Sequence, residues 1–172
     1  LLDDGARNRY RIVRLKDKLG TKSMASGEIV LEGAEAWPVG DLGQGFKQMM
    51  DQVNLSRLSH GVRAAGMMRR CLNEALSCAR GRQAFGGPLI DRAMVRRQLM
   101  KILVPTEQAL SMALFTADIM AKADAGDARA AVALRLLTPL DKLQACRDNL
   151  MVATAAMEMR GGTGYIEKWA NA

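Results

Sequence analysis

The 172-residue chain is 49% hydrophobic and 4% aromatic, with a formal net charge of +7. That is enough apolar material for one domain with a sizeable core, and it excludes a disordered chain. Abundant Ala, Leu and Met with few aromatics favour aliphatic helix packing over a β-sandwich. The positive charge suits nucleic acid, an anionic cofactor or solvated helix faces and does not choose among them.

Only three cysteines occur. Cys71 and Cys78 would lie about 10 Å apart on a shared helix, too far for a disulfide within it, so a reducing compartment is expected. With His60 as the sole histidine and no closely spaced Cys pair, no metal site is expected. No apolar run approaches the roughly 20 residues of a membrane span, and the first residues do not read as a secretory signal, so the expectation is a soluble, cytoplasmic protein. Both ends, Leu1 to Asp4 and Trp169 to Ala172, read as cuts within structure, as in a piece of a longer protein.

In chain order, Arg9 to Leu19 mixes basic and strand-forming residues before Gly20, and Ser23 to Leu31 supplies a second short strand. Pro38, Gly40, Gly43 and Gly45 then punctuate a loop. Two or three strands are too few for a free-standing sheet, so residues 1–43 are expected to be a remnant of a β-rich domain. From Phe46 the apolar residues step by three and four, predicting a helix to about Gln83 that Gly61 and Gly66 weaken. A second helix is predicted from about Asp91 to Ala123, bent at Pro105, and a third from Ala128 to Met159, bent or interrupted at Thr138-Pro139. The fold class is mainly α. Residues 44–172 would form an up-and-down bundle that a fourth helix would close.

Three segments are candidates for chemistry. RGRQAFGGPL (Arg80 to Leu89) sets Arg82 at a helix end beside a glycine pair, where a guanidinium can bind an anion or simply complement the helix dipole. AMEMRGGTGY (Ala156 to Tyr165) places glycines at a helix end, permitting close approach of a ligand or merely terminating the helix; it lacks the strand–turn–helix setting of a dinucleotide fingerprint. LGQGFKQMMDQVNLSRLSHG (Leu42 to Gly61) carries Arg57, able to meet an anionic group or stand as a solvated charge.

In this order and spacing these segments resemble the acyl-CoA dehydrogenase superfamily, especially its AidB-like, alkylation-response branch. KDKLGTKSMAS (Lys16 to Ser26) is similar to the family's K-x-G-x-R-x-S stretch, LGQGFKQMM to its G-x-G-F entry, RQAFGGPL to its R-x-x-F-G-x-P-L segment and MEMRGGTGY to its Q-x-x-G-G-x-G-[YF] segment. The resemblance implies the end of a middle β-domain followed by three helices of a C-terminal four-helix bundle, in a homodimer or homotetramer that shares FAD across subunits. It also implies dehydrogenation of an acyl-CoA, a glutamate taking the α-proton while the β-hydride moves to flavin N5. By that resemblance Arg82, Ala84 and Phe85 contact FAD of a neighbouring subunit, with Arg82 facing its pyrophosphate. Glu158, Gly161 and Gly162 form a second FAD segment, and Arg57 lies near the acyl-CoA pocket.

Several positions depart from the family pattern. Glu158 replaces the common glutamine, Arg92 stands where another glutamine near the cofactor is frequent, and Asn54 replaces the acid of D-x-x-R. Arg92 would either compensate the acidic Glu158 or face solvent. No catalytic residue is assigned. Ser56 occupies the place where one subgroup carries its base, and Glu167 is too close to Gly164 to match the E-G-T/S glutamate, which would fall beyond Ala172. The fragment alone is therefore expected to be inactive. The alternative is a DNA-damage-response flavoprotein with little dehydrogenase activity, for which Arg92, Arg96, Arg97 and Lys101 offer a basic helical patch. The electron acceptor and the acyl chain length are not encoded here.

Overall fold

The computed structural model describes residues 5–166. Two compact units meet between Gly45 and Phe46. The first is an antiparallel pair, β1 (Tyr10–Leu15) and β2 (Gly27–Leu31), in which Tyr10 faces Leu31 and a register shift falls between Ile12 and Arg14. Both faces of this ribbon are exposed, including Ile12, Val13, Leu15, Ile29 and Leu31, as expected of strands that lack a covering layer. Lys18 Nζ closes the connecting loop by donating to Thr21 Oγ1, Met24 O and Ser26 Oγ.

The second unit comprises three long helices, α1 (Gly45–Gly81), α2 (Ala93–Asp124) and α3 (Ala128–Met159). The predicted helix bounds agree with these to within two residues. Gly61 and Gly66 do not break α1. α2 runs through Pro105 and α3 through Pro139 without interruption. A proline leaves one carbonyl of the preceding turn without its amide donor. Thr106 Oγ1 adds a bond to Ile102 O beside the first gap, and Thr138 Oγ1 bonds Leu134 O beside the second. Asp127 starts α3 by accepting from the amides of Arg129 and Ala130, satisfying two of the orphan donors of a helix start.

The core is built from one stripe of each helix: Ala65, Met68, Leu72, Ala75 and Ala79 on α1, Leu99, Ile102 and Ala109 on α2, Ala145, Val152 and Ala156 on α3. These recur at three- and four-residue steps, the helical signature. Cross-links fix the directions. Arg69 of α1 pairs with Glu107 of α2. Along α3, Thr138 Oγ1 bonds Asn54 Oδ1 near the start of α1, and Arg160 pairs with Glu74 near its end, so α1 and α3 run parallel with α2 antiparallel between them in sequence.

Where α1 meets α3, Gly61 lies against Asp141; a Cβ on Gly61 would sit 1.9 Å from Asp141 Oδ2. Asp141 is 1% exposed, and neither carboxylate oxygen has a hydrogen-bond partner among the described residues. Burial raises its pKa above the ordinary 3.8, because a desolvated carboxylate is costly to ionise. The folded chain then holds this proton more tightly than the unfolded chain. Stability contributed by neutral Asp141 is complete below the unfolded value and declines as pH rises through the folded one. Thermal unfolding from pH 4 upward is expected to show this decline, and Asp141→Asn to flatten it. An unchanged slope in the variant would rule out Asp141 as its source.

The outer faces of α2 and α3 are rich in exposed apolar side chains, among them Leu114, Val132, Leu136 and Leu150. A cleft of about 800 Å³ lies between α2 and α3, lined by Met112, Phe115, Leu140, Leu143 and Gln144 with Asp141 at its wall. Among the described residues no helix is long and apolar enough to cross a membrane, and no cluster of metal-ligating side chains occurs. All three cysteines are free, and burial pushes the Cys71 thiol up, away from reactive thiolate.

Candidate functional site

Between α1 and α2 the chain forms a minimal hairpin, β3 (Gln83–Ala84) paired with β4 (Gly87–Pro88). Its two-residue tip, Phe85-Gly86, has positive φ at both positions, 55° and 82°. That is the geometry of a primed turn, which suits Asn or Gly at the first position. A phenylalanine there is strained, and Phe85 is 86% exposed among the described residues. The hairpin is pinned from both sides: Arg82 N donates to Cys78 O, Leu89 N donates to Arg82 O, and Arg92 Nη2 donates to Phe85 O. Arg92 is half-buried. It buttresses the back of the turn, and its Nε is buried without a partner among the described residues.

The second predicted segment arrives beside the first. α3 ends at Met159, and Gly161–Tyr165 forms a tight 3-10 turn. Gly161 has φ +64°, and a Cβ there would stand 3.1 Å from Arg82 Nη1. Arg82 Nη1 donates to Arg160 O at 3.4 Å, while its Nε and Nη2 donate to no described residue. Arg82, Gly161 and Gly162 therefore form one exposed cationic cradle from segments about 80 residues apart in sequence, with Phe85 on the adjoining turn. Glu158 is exposed on the last turn of α3, where the helix dipole gives an acid no support. Ala84 is half-buried in β3.

Sequence reading missed the residues that hold this cradle together. Glu74, Cys78 and Arg82 succeed one another at four-residue spacing, and all three reach the end of α3. Glu74 pairs with Arg160, Cys78 Sγ donates to Met159 O at 3.4 Å, and Arg82 donates to Arg160 O. Glu74 also accepts from Arg70 Nε at 2.8 Å. Burial alone would raise the Glu74 pKa, but the bonds from Arg70 and Arg160 outweigh it and hold the carboxyl below its ordinary value. The spacing was visible in the sequence; its target was not.

Arg57 lies elsewhere. It lies on α1, 24 residues before the helix ends at Gly81 and so roughly 36 Å along the axis from the Arg82 end at 1.5 Å per residue. Half-buried, it donates from Nη1 to Asn54 Oδ1 at 3.1 Å, so the amide at position 54 still orients the guanidinium. Together with Pro139, Lys142, Cys146 and Arg147 it lines a groove between α1 and α3. In the basic stretch at the start of α2, Arg92 donates to Phe85 O, and Arg96 donates to Ile90 O and pairs with Asp91. Glu167 lies outside the described residues.

The family described as acyl-CoA dehydrogenase, C-terminal domain, matches residues 43–172. The chain belongs to the acyl-CoA dehydrogenase family. Its relatives include AidB of Escherichia coli (strain K12), 34% identical over 167 residues, and acyl-CoA dehydrogenase family member 11 of Caenorhabditis elegans, 32% identical over 167 residues. The chain covers 30% and 27% of their respective lengths, while 97% and 96% of the chain takes part. Among solved structures, Caenorhabditis elegans ACDH-11 in complex with C11-CoA superposes with a TM-score of 0.83 at 32% identity, over 96% of this chain and 28% of that one. The Bd2924 apo-form gives 0.84 at 33% identity, over 96% of this chain and 33% of that one. The resemblance drawn from the RQAFGGPL and MEMRGGTGY segments is thus that of a true family member, and the mainly helical fold is the family's C-terminal helical domain.

Proposed function

We propose that this chain is part of an FAD-dependent acyl-CoA dehydrogenase and contributes the cofactor-binding cradle of a neighbouring subunit's site. The observation that carries the reading is the convergence of Arg82 with Gly161, two segments the family resemblance assigns to one FAD. The donor set fits the group. An exposed guanidinium whose Nε and Nη2 donate to no described residue suits a pyrophosphate, and the side-chain-free Gly161-Gly162 backbone allows close approach. The strained, exposed Phe85 would offer its ring to the same cofactor. FAD, when bound, supplies the hydride acceptor.

Arg57, oriented by Asn54, would meet the acyl-CoA. The relative bound to C11-CoA supports an acyl-CoA ligand for this member of the family. No residue of the chain is assigned as the base and none as a contact of the flavin ring, so the chain by itself is expected neither to hold FAD tightly nor to oxidise acyl-CoA. In the full-length protein Arg82→Ala is expected to weaken FAD binding about ten- to a hundredfold, the range for losing a charge-assisted hydrogen bond. Titration of the apoprotein followed by flavin fluorescence measures this. FAD affinity within twofold of wild type would overturn the assignment.

The exposed apolar faces of α2 and α3 support the further reading that the bundle is completed by a fourth helix and by neighbouring subunits of a homodimer or homotetramer. The isolated chain is accordingly expected to self-associate, with a sedimentation-derived mass that rises with concentration. A constant monomer mass up to high micromolar concentration would count against it.

A further inference from the structure

The cradle needs two helix ends to arrive in register, and the structure shows what sets that register. Three residues at four-residue spacing, Glu74 and Cys78 on α1 and Arg82 just past its end, engage Met159 or Arg160. Two of these contacts are weak. The Cys78 thiol is an intrinsically weak donor, and the guanidinium contact at 3.4 Å lies near the outer limit of N–H···O bonding. The third is a charge-assisted pair whose side chains are only 15% and 25% exposed for Arg160 and Glu74, and such pairs are the strong members of a network. Arg160 is also the residue whose carbonyl receives Arg82 Nη1 and Thr163 Oγ1, and whose next neighbour is the left-handed Gly161.

We propose that Glu74 is the positioning residue of the cofactor cradle: by anchoring the Arg160 side chain it fixes the Met159–Gly162 backbone against Arg82, in the geometry that receives an anionic cofactor. The inference rests on the FAD reading above. Glu74 touches no cofactor in this scheme; it acts through Arg160. Arg70 shares the Glu74 carboxylate but belongs to α1 itself, at i, i+4, and so contributes nothing to where α3 ends.

The test uses the full-length protein, with FAD as probe and four variants: Glu74→Gln, Arg160→Lys, Arg70→Gln and Arg82→Ala. Glu74→Gln is expected to raise the FAD dissociation constant about tenfold, the effect of removing one member of a coupled network. It is also expected to speed amide exchange across Met159 to Gly162 in the apoprotein. Arg160→Lys keeps the charge and loses the planar fork, so an intermediate loss is expected; it stands in if Glu74→Gln fails to fold. Arg70→Gln should leave FAD affinity within twofold. The KM for acyl-CoA should change far less than FAD affinity in all of these. Normal FAD affinity in both Glu74→Gln and Arg160→Lys, with Arg82→Ala still weakened, would overturn the positioning role and leave the cofactor reading standing. A loss in Arg70→Gln equal to that in Glu74→Gln would also overturn it, reducing the effect to helix charge. FAD affinity indifferent to Arg82→Ala would remove the cofactor reading and this inference with it.

Discussion

Gly61→Val is expected to destabilise the bundle by about 3 to 4 kcal/mol, at the upper end of overpacking effects. The α1 backbone at Gly61 is buried against α3, and the first carbon of any side chain would fall 1.9 Å from Asp141 Oδ2, 2.6 Å from its Cγ and 3.0 Å from Oδ1. Asp141 cannot swing clear as an exposed lysine would. Its side chain is short and 1% exposed, so relief requires moving a helix. The ordinary gain of replacing a mid-helix glycine, about 1 kcal/mol for alanine, is too small to compensate. The assignment of the loss to Asp141 is testable in a double-mutant cycle. In an Asp141→Ala background the same Gly61→Val change should cost less than half as much, measured by chemical denaturation at pH 7. A full cost in that background would place the clash elsewhere. Gly66, just over one helical turn further along, is the contrast: it is exposed, with nothing within 4 Å of the point where a Cβ would stand, and its replacement should meet no such penalty.

This pair of glycines shows what a sequence can and cannot carry. Both read alike as weak points of a long helix, and the period of Leu58, Val62, Ala65, Met68, Leu72 and Ala75 still placed the helix correctly through them. Which glycine is obligatory depends on Asp141, 80 residues away, and no local pattern encodes that contact. The same division holds at the candidate site. Arg82 and Gly161-Gly162 were legible because both sit in glycine-marked helix ends that resemble family segments. Glu74 and Arg160 were not, because a charged residue on a helix face is ordinarily solvated and only the parallel arrangement of α1 and α3 brings these two together. Arg92 shows a contact that its sequence position did not announce: its guanidinium donates to Phe85 O across the hairpin. The small hairpin itself was foreseen only as a tight turn, since two-residue strands carry no periodic signal.

Ile102→Ala is expected to cost about 3 to 4 kcal/mol, and Ile102→Val about 1 kcal/mol, as graded removal of buried methyl groups from a packed interior. Ile102 has no exposed surface and belongs to the same cluster as Met68, Leu72 and Val152. Collapse around the deletion is restricted on the α2 side, because the Ile102 carbonyl is held by Thr106 Oγ1 at 2.7 Å and Pro105 limits local backbone adjustment. The cost should therefore fall in the upper part of the usual range. Equilibrium unfolding in denaturant, with an unchanged slope and a lowered midpoint, measures it. A loss below about 1 kcal/mol would show that α2 shifts to fill the space. The distinction matters for the cradle, because α1 carries both functions on adjoining faces: Ala75 and Ala79 point into the core, while Glu74, Cys78 and Arg82 reach α3's end. If α2 stays in place, Ile102→Ala lowers global stability while leaving the α1–α3 contacts intact, and amide exchange at Met159 to Gly162 should remain at its wild-type rate under conditions where local opening governs exchange. Faster exchange there would mean instead that the core and the cradle yield together, and that α1 transmits the loss from one face to the other.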